Sequence, residues 1–165
     1  MLRIGILSDT HLSGPTDFFR EQAAACFSDV SIILHAGDLT DLSVLKVFRS
    51  KEIYAVHGNM CQRSSWTALP QKQTIQAGPH RIGLIHRTGK TYNFEHLLLD
   101  EFDDVDCVVY GHTHQPVCHK MGSVLLINPG SFMPTSAYGA PGTYAILEID
   151  EHGLRGRIYE AGRKK

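Results

Sequence analysis

Histidine, aspartate and asparagine recur in this sequence where short apolar runs end. Their carboxylate, amide and imidazole groups suit Mn, Fe, Ni or Zn, and they differ from the cysteine-rich ligand set of a structural zinc site. Seven such ligands are too many for one ion, but they suffice for two ions of four protein ligands each if one carboxylate bridges them. A pair of ions polarises a phosphoryl group and activates the attacking water. The seven candidate metal ligands are Asp9, His11, Asp38, Asn59, His86, His112 and His114.

Two other histidines, His35 and His57, also stand at the ends of apolar runs. We expect structural roles for them, because the seven candidate ligands explain the site without these two. Three glycines lie beside the candidate ligands, and they let the backbone turn tightly there. These glycines are Gly37, Gly58 and Gly111.

The candidate ligands need a framework that brings five chain segments together. Short apolar runs bounded by glycine, proline or polar clusters indicate buried strands, and helical spacing between the early runs predicts helices. This alternation predicts an α/β fold with a largely parallel sheet, in which the carboxyl ends of the strands share one edge. The candidate ligands should therefore converge. The predicted strands are 3–7, 31–34, 53–56, 81–85, 106–110 and 123–127, and the predicted helices are 18–27, 42–48 and 92–102.

The spacing of apolar runs tightens toward the C-terminus. The runs "PVCHKM" and "SVLLI" are separated by Gly122, and "GTYAILEID" and "RGRIYE" are separated by "EHGL". Both pairs are typical of antiparallel hairpins. They predict a second sheet, or a second region of the sheet, in this part of the chain.

The bulk composition is that of a globular protein, and we expect a single domain over residues 1–165. The net charge of -1 provides no field that would hold nucleic acid or an anionic membrane. The first residues are neither a signal peptide nor a membrane span, so we expect a cytoplasmic protein. The four cysteines include no C-x-x-C pair and are expected to be reduced.

The stretch "GLIHRTGKT" at 83–91 resembles a phosphate-binding P-loop, which would make the chain a nucleotide binder. A P-loop has four residues between its first glycine and its Gly-Lys pair, because the loop amides must wrap the phosphates. Here there are five. The spacing therefore disfavours a P-loop and leaves His86 as the functional residue of the stretch.

The combined motifs resemble those of the calcineurin-like metallophosphoesterases, in particular the small bacterial and archaeal phosphodiesterases. The resemblance implies a metallophosphoesterase-type α/β sandwich of two β-sheets flanked by helices, with a dinuclear site at the strand ends. It also implies that Asp9, His11, Asp38 and His114 bind one ion, and that Asn59, His86, His112 and the shared Asp38 bind the other. The motifs are "DTH" at 9–11, "GD" at 37–38, "GN" at 58–59, His86, "GHTH" at 111–114 and "INPGS" at 127–131.

The mechanism implied by this resemblance is in-line attack on phosphorus by a metal-bridging hydroxide, with two divalent ions per chain. Mn is the expected metal, with Ni, Fe and Zn as alternatives. The substrate would be a small phosphodiester. Asn128 and Ser131 are candidate substrate-binding residues: Asn128 would support the metal ligands or Ser131 would contact a phosphate oxygen, although Asn-Pro-Gly-Ser is also an ordinary turn sequence.

Two positions depart from the pattern of this family. Many relatives follow Gly-Asn with a histidine or cysteine and then an acidic residue, and the histidine helps to protonate the leaving group. Met60 and Cys61 stand here instead, and Met60 cannot transfer protons. The proton would then come from a water or from His57, or the substrate would have a good leaving group that departs without it. The second departure is Arg87, where relatives have glycine. It would bind phosphate oxygens if it points inward, and Lys90 is a weaker candidate for the same contact.

Two other functions stay open at this point. One is a non-catalytic metal-binding or protein-interaction scaffold, since the retromer subunit of the same fold resembles this chain in "IGLIH", "GHTH" and "INPGS". That scaffold has lost part of the ligand set, whereas this sequence has all seven residues. The other is a phosphomonoesterase, which would need more cationic contacts than Arg87 alone offers. The oligomeric state is also open, with a homo-oligomer among the alternatives.

Overall fold

The computed structural model describes residues 1–88, 93–134 and 141–162. Within these ranges the chain forms ten strands, three α-helices and one 3₁₀ helix at Leu42–Phe48. No helix in the same ranges is long and apolar enough to cross a membrane. The strands are β1 (Leu2–Leu7), β2 (Ile32–His35), β3 (Glu52–Ala55), β4 (Lys72–Ala77), β5 (His80–Ile85), β6 (Cys107–Tyr110), β7 (Val117–Met121), β8 (Val124–Asn128), β9 (Thr143–Asp150) and β10 (Gly153–Glu160), and the helices are α1 (Asp17–Cys26), α2 (Arg63–Ala68) and α3 (Phe94–Leu99).

The first sheet has the strand order β10-β9-β1-β2-β3. Strands β1, β2 and β3 are parallel, with Ile4 opposite Ile32 and Ile33 opposite Ile53. Strand β9 runs antiparallel to β1, and β10 runs antiparallel to β9. The predicted parallel sheet is therefore confirmed for the first three strands, and the C-terminal hairpin extends it with antiparallel pairing.

The second sheet has the order β4-β5-β6-β8-β7. Strands β5, β6 and β8 are parallel, and β4 and β7 run antiparallel along the two edges. The predicted second sheet is confirmed, and it extends further toward the N-terminus than the C-terminal hairpins indicated, because it already begins at β4. The two predicted hairpins are both present, but they belong to different sheets.

The larger apolar cluster is made of side chains from both sheets. Ile6 and Leu34 come from the first sheet and Leu84 and Val109 from the second, and all four are fully buried. A second cluster packs α1 and the 3₁₀ helix against the first sheet, and a third packs α3 against the second. Burial of each such side chain stabilises the fold by about 1.5–3 kcal/mol. The two sheets are thus fixed to each other, which the site requires because both sheets contribute to it.

The three predicted helical segments are present, with differences in type and length, and α2 was not predicted. Helix α1 begins after Thr16, whose Oγ1 accepts a hydrogen bond of 3.1 Å from the Phe19 amide. The segment Leu42–Phe48 is helical as predicted, but it is a 3₁₀ helix. The helix predicted over 92–102 is present as the shorter α3.

Candidate metal centre

The polar segments that follow β1 and β2 are joined to each other beyond the ends of the strands. The Asp9 amide donates a hydrogen bond to the carbonyl of Gly37 over 3.0 Å, and the His11 amide donates one to the carbonyl of Asp38 over 3.0 Å. Parallel pairing therefore continues into the loops. Asp9, His11 and Asp38 are held side by side as a result.

One group of candidate ligands combines these loops with the loop after β6. Asp9, His11 and His114 place one donor atom each within 4.8 Å of one another. His114 Nε2 lies 3.2 Å from Asp9 Oδ1, and His11 Nε2 lies 3.9 Å from the same oxygen. The other oxygen of Asp9 accepts the His112 amide over 3.1 Å. The first group thus spans both sheets.

A second group lies beside the first. Asp38, His86 and His112 also place their donor atoms within 4.8 Å of one another. His86 Nε2 is 3.2 Å from Asp38 Oδ2. The side-chain oxygen of Asn59 is 3.2 Å from His86 Nε2 and 3.1 Å from His112 Nδ1. All seven predicted ligands are therefore brought together, although their strands belong to two sheets and not to one sheet edge as predicted.

In the second group, the electrostatic environment favours an ionised Asp38 carboxylate that faces the imidazoles of His86 and His112. Burial would raise the pKa of Asp38, but the hydrogen bond and charge of His86 and the Met60 amide outweigh it and lower that pKa. Burial also opposes protonation of His86, yet Asp38 and Asp9 raise its pKa. Burial and the charge of His86 lower the pKa of His112. In this constellation Asp38 is a negative centre facing imidazole nitrogens.

The backbone is left-handed at most of the candidate ligands. Positive φ angles are rare for residues other than glycine and cost free energy, and they cluster at functional sites. Seven such residues occur in the described part of the chain, and five of them are predicted ligands. This shared conformation turns successive side chains toward one point. The five are Asp9 (φ 53°), His11 (49°), Asp38 (52°), His112 (89°) and His114 (57°).

The glycines beside the ligands are required for two different reasons. Gly37 has a φ of 96°, and a Cβ there would lie 2.5 Å from the Cβ of His86. At Gly58 the reason is close approach alone, because a Cβ would lie 2.1 Å from Asp38 Oδ1 and 2.6 Å from its amide nitrogen. We predicted that both glycines allow a tight turn of the backbone. The positive φ of Gly37 agrees with that prediction, whereas Gly58 leaves room for the Asp38 carboxylate.

Ser131 and Asn128 occupy buried positions behind the ligand loops. The Ser131 hydroxyl lies 2.9 Å from the carbonyl oxygen of Asp9 and can donate to it. The amide of Asn128 donates to Thr113 Oγ1 over 3.0 Å and accepts from the Gly130 amide over 2.9 Å. Asn128 thus supports the segment between His112 and His114, as one prediction had it. Both side chains have partners within the protein, and contact of either with a substrate stays a prediction.

Arg87 lies beside the centre, next to His86 in the chain. Its guanidinium pairs with the carboxylate of Glu101, which also accepts from Lys72 Nζ over 2.9 Å. Arg87, Glu101 and Gln71 line a cleft of about 220 Å³ that reaches His86. Arg87 therefore borders the site but is already paired. Lys90, the other predicted phosphate contact, lies outside the described residues.

The two other histidines that follow apolar runs, His35 and His57, differ from the ligands. His35 is fully buried between the Thr10 hydroxyl at 3.2 Å and the Gly37 amide at 3.3 Å, and burial lowers its pKa to about 3. It is a neutral structural residue, as expected. His57 stacks on Trp66 with ring centroids 4.0 Å apart, and burial lowers its pKa. A catalytic role for His57 stays a prediction.

Some contacts that orient the ligands gave no signal in the sequence. The Ala36 carbonyl lies 2.8 Å from His86 Nδ1, and the Met60 amide donates to Asp38 Oδ1 over 2.7 Å. Both are backbone groups, so no residue type marks them. Only the neighbouring glycines hint that the backbone comes close.

The donor set fits divalent cations. Asp9 Oδ1 is buried and accepts no hydrogen bond from the described residues, despite the two imidazoles around it. A buried carboxylate oxygen without a donor is unfavourable unless a cation neutralises it. Carboxylate oxygens, an amide oxygen and imidazole nitrogens are ligands for Mn, Fe, Ni or Zn. The residues present are therefore suited to hold metal at both groups.

Comparison with known families agrees with this geometry. The model of the calcineurin-like phosphoesterase superfamily domain matches residues 2–152. A probable metallophosphoesterase of Methanothermobacter thermautotrophicus is 34% identical over 164 residues, which cover 96% of this chain and 92% of that protein. The phosphodiesterase MJ0936 of Methanocaldococcus jannaschii is 30% identical over 174 residues, covering 96% of this chain and all of that protein.

Solved structures share the fold. Vps29 of Chaetomium thermophilum superposes with a TM-score of 0.72 over 98% of this chain and 100% of its own, at 21% sequence identity. At that identity the likeness concerns the fold alone. It confirms the predicted sandwich of two sheets flanked by helices.

Proposed function

Because the chain belongs to the calcineurin-like phosphoesterase superfamily, we propose that it is a metal-dependent phosphodiesterase acting on a small phosphodiester. The observation that carries this proposal is the convergence of all seven candidate ligands in two adjacent groups. The relative named as a phosphodiesterase, which aligns over its whole length, supports the same reaction class.

The proposed cofactor is a pair of divalent ions, with Mn preferred and Ni, Fe or Zn as alternatives. Asp38 would be shared between the two ions. When bound, the ions would supply positive charge that polarises a phosphoryl group and lowers the pKa of a water molecule. The assignment places Asp9, His11 and His114 on one ion, and Asn59, His86 and His112 on the other.

Contacts within the protein orient these side chains for metal binding. A carbonyl oxygen can only accept, so His86 Nδ1 must donate its proton to Ala36, and Nε2, which faces Asp38 and Asn59, is the nitrogen that would bind metal. The Met60 amide fixes one oxygen of Asp38. Partners of this kind orient ligands before the metal arrives and tune its affinity.

A diester fits the charges around the site better than a monoester. A monoester carries a second negative charge, which calls for additional cationic side chains. Arg87 is the candidate for this contact, and Glu101 already neutralises it. A diester carries a single negative charge and therefore needs fewer cationic side chains. Arg87 would contact such a substrate only after leaving Glu101.

Protonation of the leaving group is the step for which the sequence pattern lacks a donor. The side chain of Met60 is exposed and carries no proton to transfer. The reaction needs no proton from residue 60 if the leaving group departs as a stable anion or takes its proton from water. We therefore propose that diesters with acidic leaving groups are the better substrates.

A non-catalytic scaffold is the second candidate function, and the likeness of the fold to Vps29 is compatible with it. The complete ligand set favours the enzyme. A scaffold could retain metal without turning over any ester, so metal binding by itself does not separate the two functions.

The test is hydrolysis of bis(4-nitrophenyl) phosphate by metal-stripped protein, with and without added Mn²⁺, alongside 4-nitrophenyl phosphate. We expect turnover of the diester, and we expect this turnover to require Mn²⁺ and to be lost in Asp38→Asn. The control is His152→Ala, which changes an exposed histidine in the turn between β9 and β10. Metal binding without turnover of either ester would favour the scaffold, and faster turnover of the monoester would favour a phosphomonoesterase.

A further inference from the structure

Trp66 is an exposed aromatic side chain close to the candidate metal centre. It is the only tryptophan in the chain, and 51% of its surface is accessible. Tryptophan side chains are highly buried on average, so an open one beside a candidate metal centre is a candidate contact for a ligand. Trp66 lies on helix α2, which begins four residues after the candidate ligand Asn59.

The indole ring of Trp66 is held in one orientation. Its Nε1–H donates a hydrogen bond of 3.1 Å to the carbonyl of Gly58. One face of the ring lies against His57, with ring centroids 4.0 Å apart and planes 30° from parallel. With one edge tied and one face covered, the remaining surface is presented to solvent in a fixed position. A group that stacks there meets a surface that needs no further ordering.

The peptide that anchors the ring also borders the candidate ligands. Gly58 lies against Asp38, so closely that a Cβ added to the glycine would meet Asp38 Oδ1 at 2.1 Å. The next residue but one, Met60, donates its amide to that same oxygen, while its side chain is 59% exposed. An exposed thioether and an exposed indole therefore flank the loop that holds Asn59. Both are polarisable surfaces that tolerate varied partners.

We propose that Trp66 is the stacking surface for a nucleobase carried by the phosphodiester. This inference rests on the proposed phosphodiesterase function, and it narrows the substrate class to diesters of nucleosides. A planar base stacks on an aromatic side chain whatever its hydrogen-bonding edge, so this contact selects for a base without selecting which one. Met60 would border the stacked base, since it lies on the same loop.

The first test uses Trp66 itself as the reporter, because no other tryptophan contributes to the emission. Protein loaded with Zn²⁺ is titrated with AMP and with ribose 5-phosphate, and the indole is excited where adenine does not absorb. We expect AMP to quench the emission of Trp66 in a saturable way, and we expect ribose 5-phosphate not to do so. Equal responses to both ligands, or no response while calorimetry detects bound AMP, would overturn the stacking surface, as would failure of AMP to bind.

The second test compares two diesters with the same leaving group, thymidine 5′-(4-nitrophenyl phosphate) and methyl 4-nitrophenyl phosphate. Trp66→Leu is expected to raise the ratio of the nucleoside KM to the methyl KM at least about fivefold, the lower end of the effect of removing a base–aromatic stack. Trp66→Phe, which keeps a ring, should retain most of the preference.

The outcomes separate this inference from the function on which it rests. Turnover of both diesters with an unchanged KM ratio in Trp66→Leu would leave the phosphodiesterase intact and overturn the stacking surface, pointing to a protein partner at Trp66. Absence of turnover with either diester would contradict the proposed function. The fluorescence titration would then decide the stacking surface by itself.

Discussion

The imidazole of His86 donates Nδ1–H to the carbonyl oxygen of Ala36 over 2.8 Å. The acceptor belongs to the loop after β2, whereas His86 follows β5 of the other sheet. This hydrogen bond thus joins the two sheets at the candidate centre. It also selects the histidine tautomer, so that Nε2 faces Asp38 Oδ2 at 3.2 Å.

His86→Ala should therefore weaken metal binding at the second group. The variant loses a nitrogen ligand and leaves Asp38 Oδ2 without the imidazole that lies 3.2 Å from it. Since even an outer contact is worth tenfold to a hundredfold in metal affinity, we expect a loss of more than about tenfold at one of two sites. Mn²⁺ equivalents retained after dialysis, followed by calorimetry, measure this. His152→Ala is the matched control, and two equivalents bound by His86→Ala as tightly as by the unmutated protein would show that His86 is not a ligand.

Gly58→Ala tests the close approach of the backbone to Asp38. The added Cβ would meet Asp38 Oδ1 at 2.1 Å, so the carboxylate must move away from its place beside His86 and His112. We expect loss of most metal-dependent diesterase activity, with a reduction in the free energy of unfolding of about 1–3 kcal/mol. Activity assays and urea denaturation measure the two effects.

Gly14→Ala is the control for that substitution. Its Cβ would have Ser43 Oγ as its nearest neighbour, at 3.7 Å, which is ordinary contact. This variant should keep both its activity and its stability. If Gly58→Ala behaved like Gly14→Ala, the position of Asp38 would not matter for the reaction.

Ser131→Ala removes the hydroxyl behind Asp9. The carbonyl oxygens of Asp9 and Met133, each 2.9 Å from Ser131 Oγ, would lose the one hydroxyl donor that they share. Loss of such a partner costs about 1–3 kcal/mol. We expect this reduction in the free energy of unfolding, measured by denaturant titration, together with weaker metal binding at Asp9. The exposed Ser64 serves as the control, since Ser64→Ala should stay within about 0.5 kcal/mol of the unmutated protein. Equal effects of the two variants would refute the supporting role of Ser131.

His35 should make the folded state sensitive to acid. Burial lowers its pKa from 6.5 to about 3, with a further contribution from His86. Above the unfolded pKa neither state binds the proton, and the stability is fully present. As the pH falls from about 6.5 toward 3, the unfolded chain gains a proton that the folded chain does not, and stability falls by up to about 1.4 kcal/mol per pH unit.

The variant His35→Asn isolates this effect in metal-free protein. Asparagine can still accept the Gly37 amide but does not titrate. Unfolding free energies measured at several pH values in that window should decline less steeply in His35→Asn, by about one proton. Parallel declines in the two proteins would mean that His35 is not the group responsible.

The strands could be predicted because buried β-structure leaves short apolar runs, and the predicted runs lie within two residues of β1, β2, β3, β5, β6 and β8. Strand β4 was missed because "KQTIQA" buries only Ile75 and Ala77 and lies at a sheet edge. Helix α2 was missed because its six residues include serine and threonine and no side chain caps it. Weak local signals of this kind depend on the rest of the fold.

The candidate site was predictable in membership but not in geometry. Residue types at strand ends sufficed to name all seven candidate ligands, since both sheets present those ends at the same place. The hydrogen bond between His86 and Ala36 depends on how the two sheets face each other, which no local pattern records. The pairing of Arg87 with Glu101 joins β5 to the region after α3 and was likewise beyond the sequence.

The left-handed backbone at five of the candidate ligands sets the function of this fold against its stability. Each of these residues occupies a conformation that glycine would adopt more easily, at a cost of order 1 kcal/mol for the side chain it carries. Replacing one of them by glycine would relieve strain and remove a ligand in the same step. A lineage that no longer needed metal would thus gain stability by losing its site.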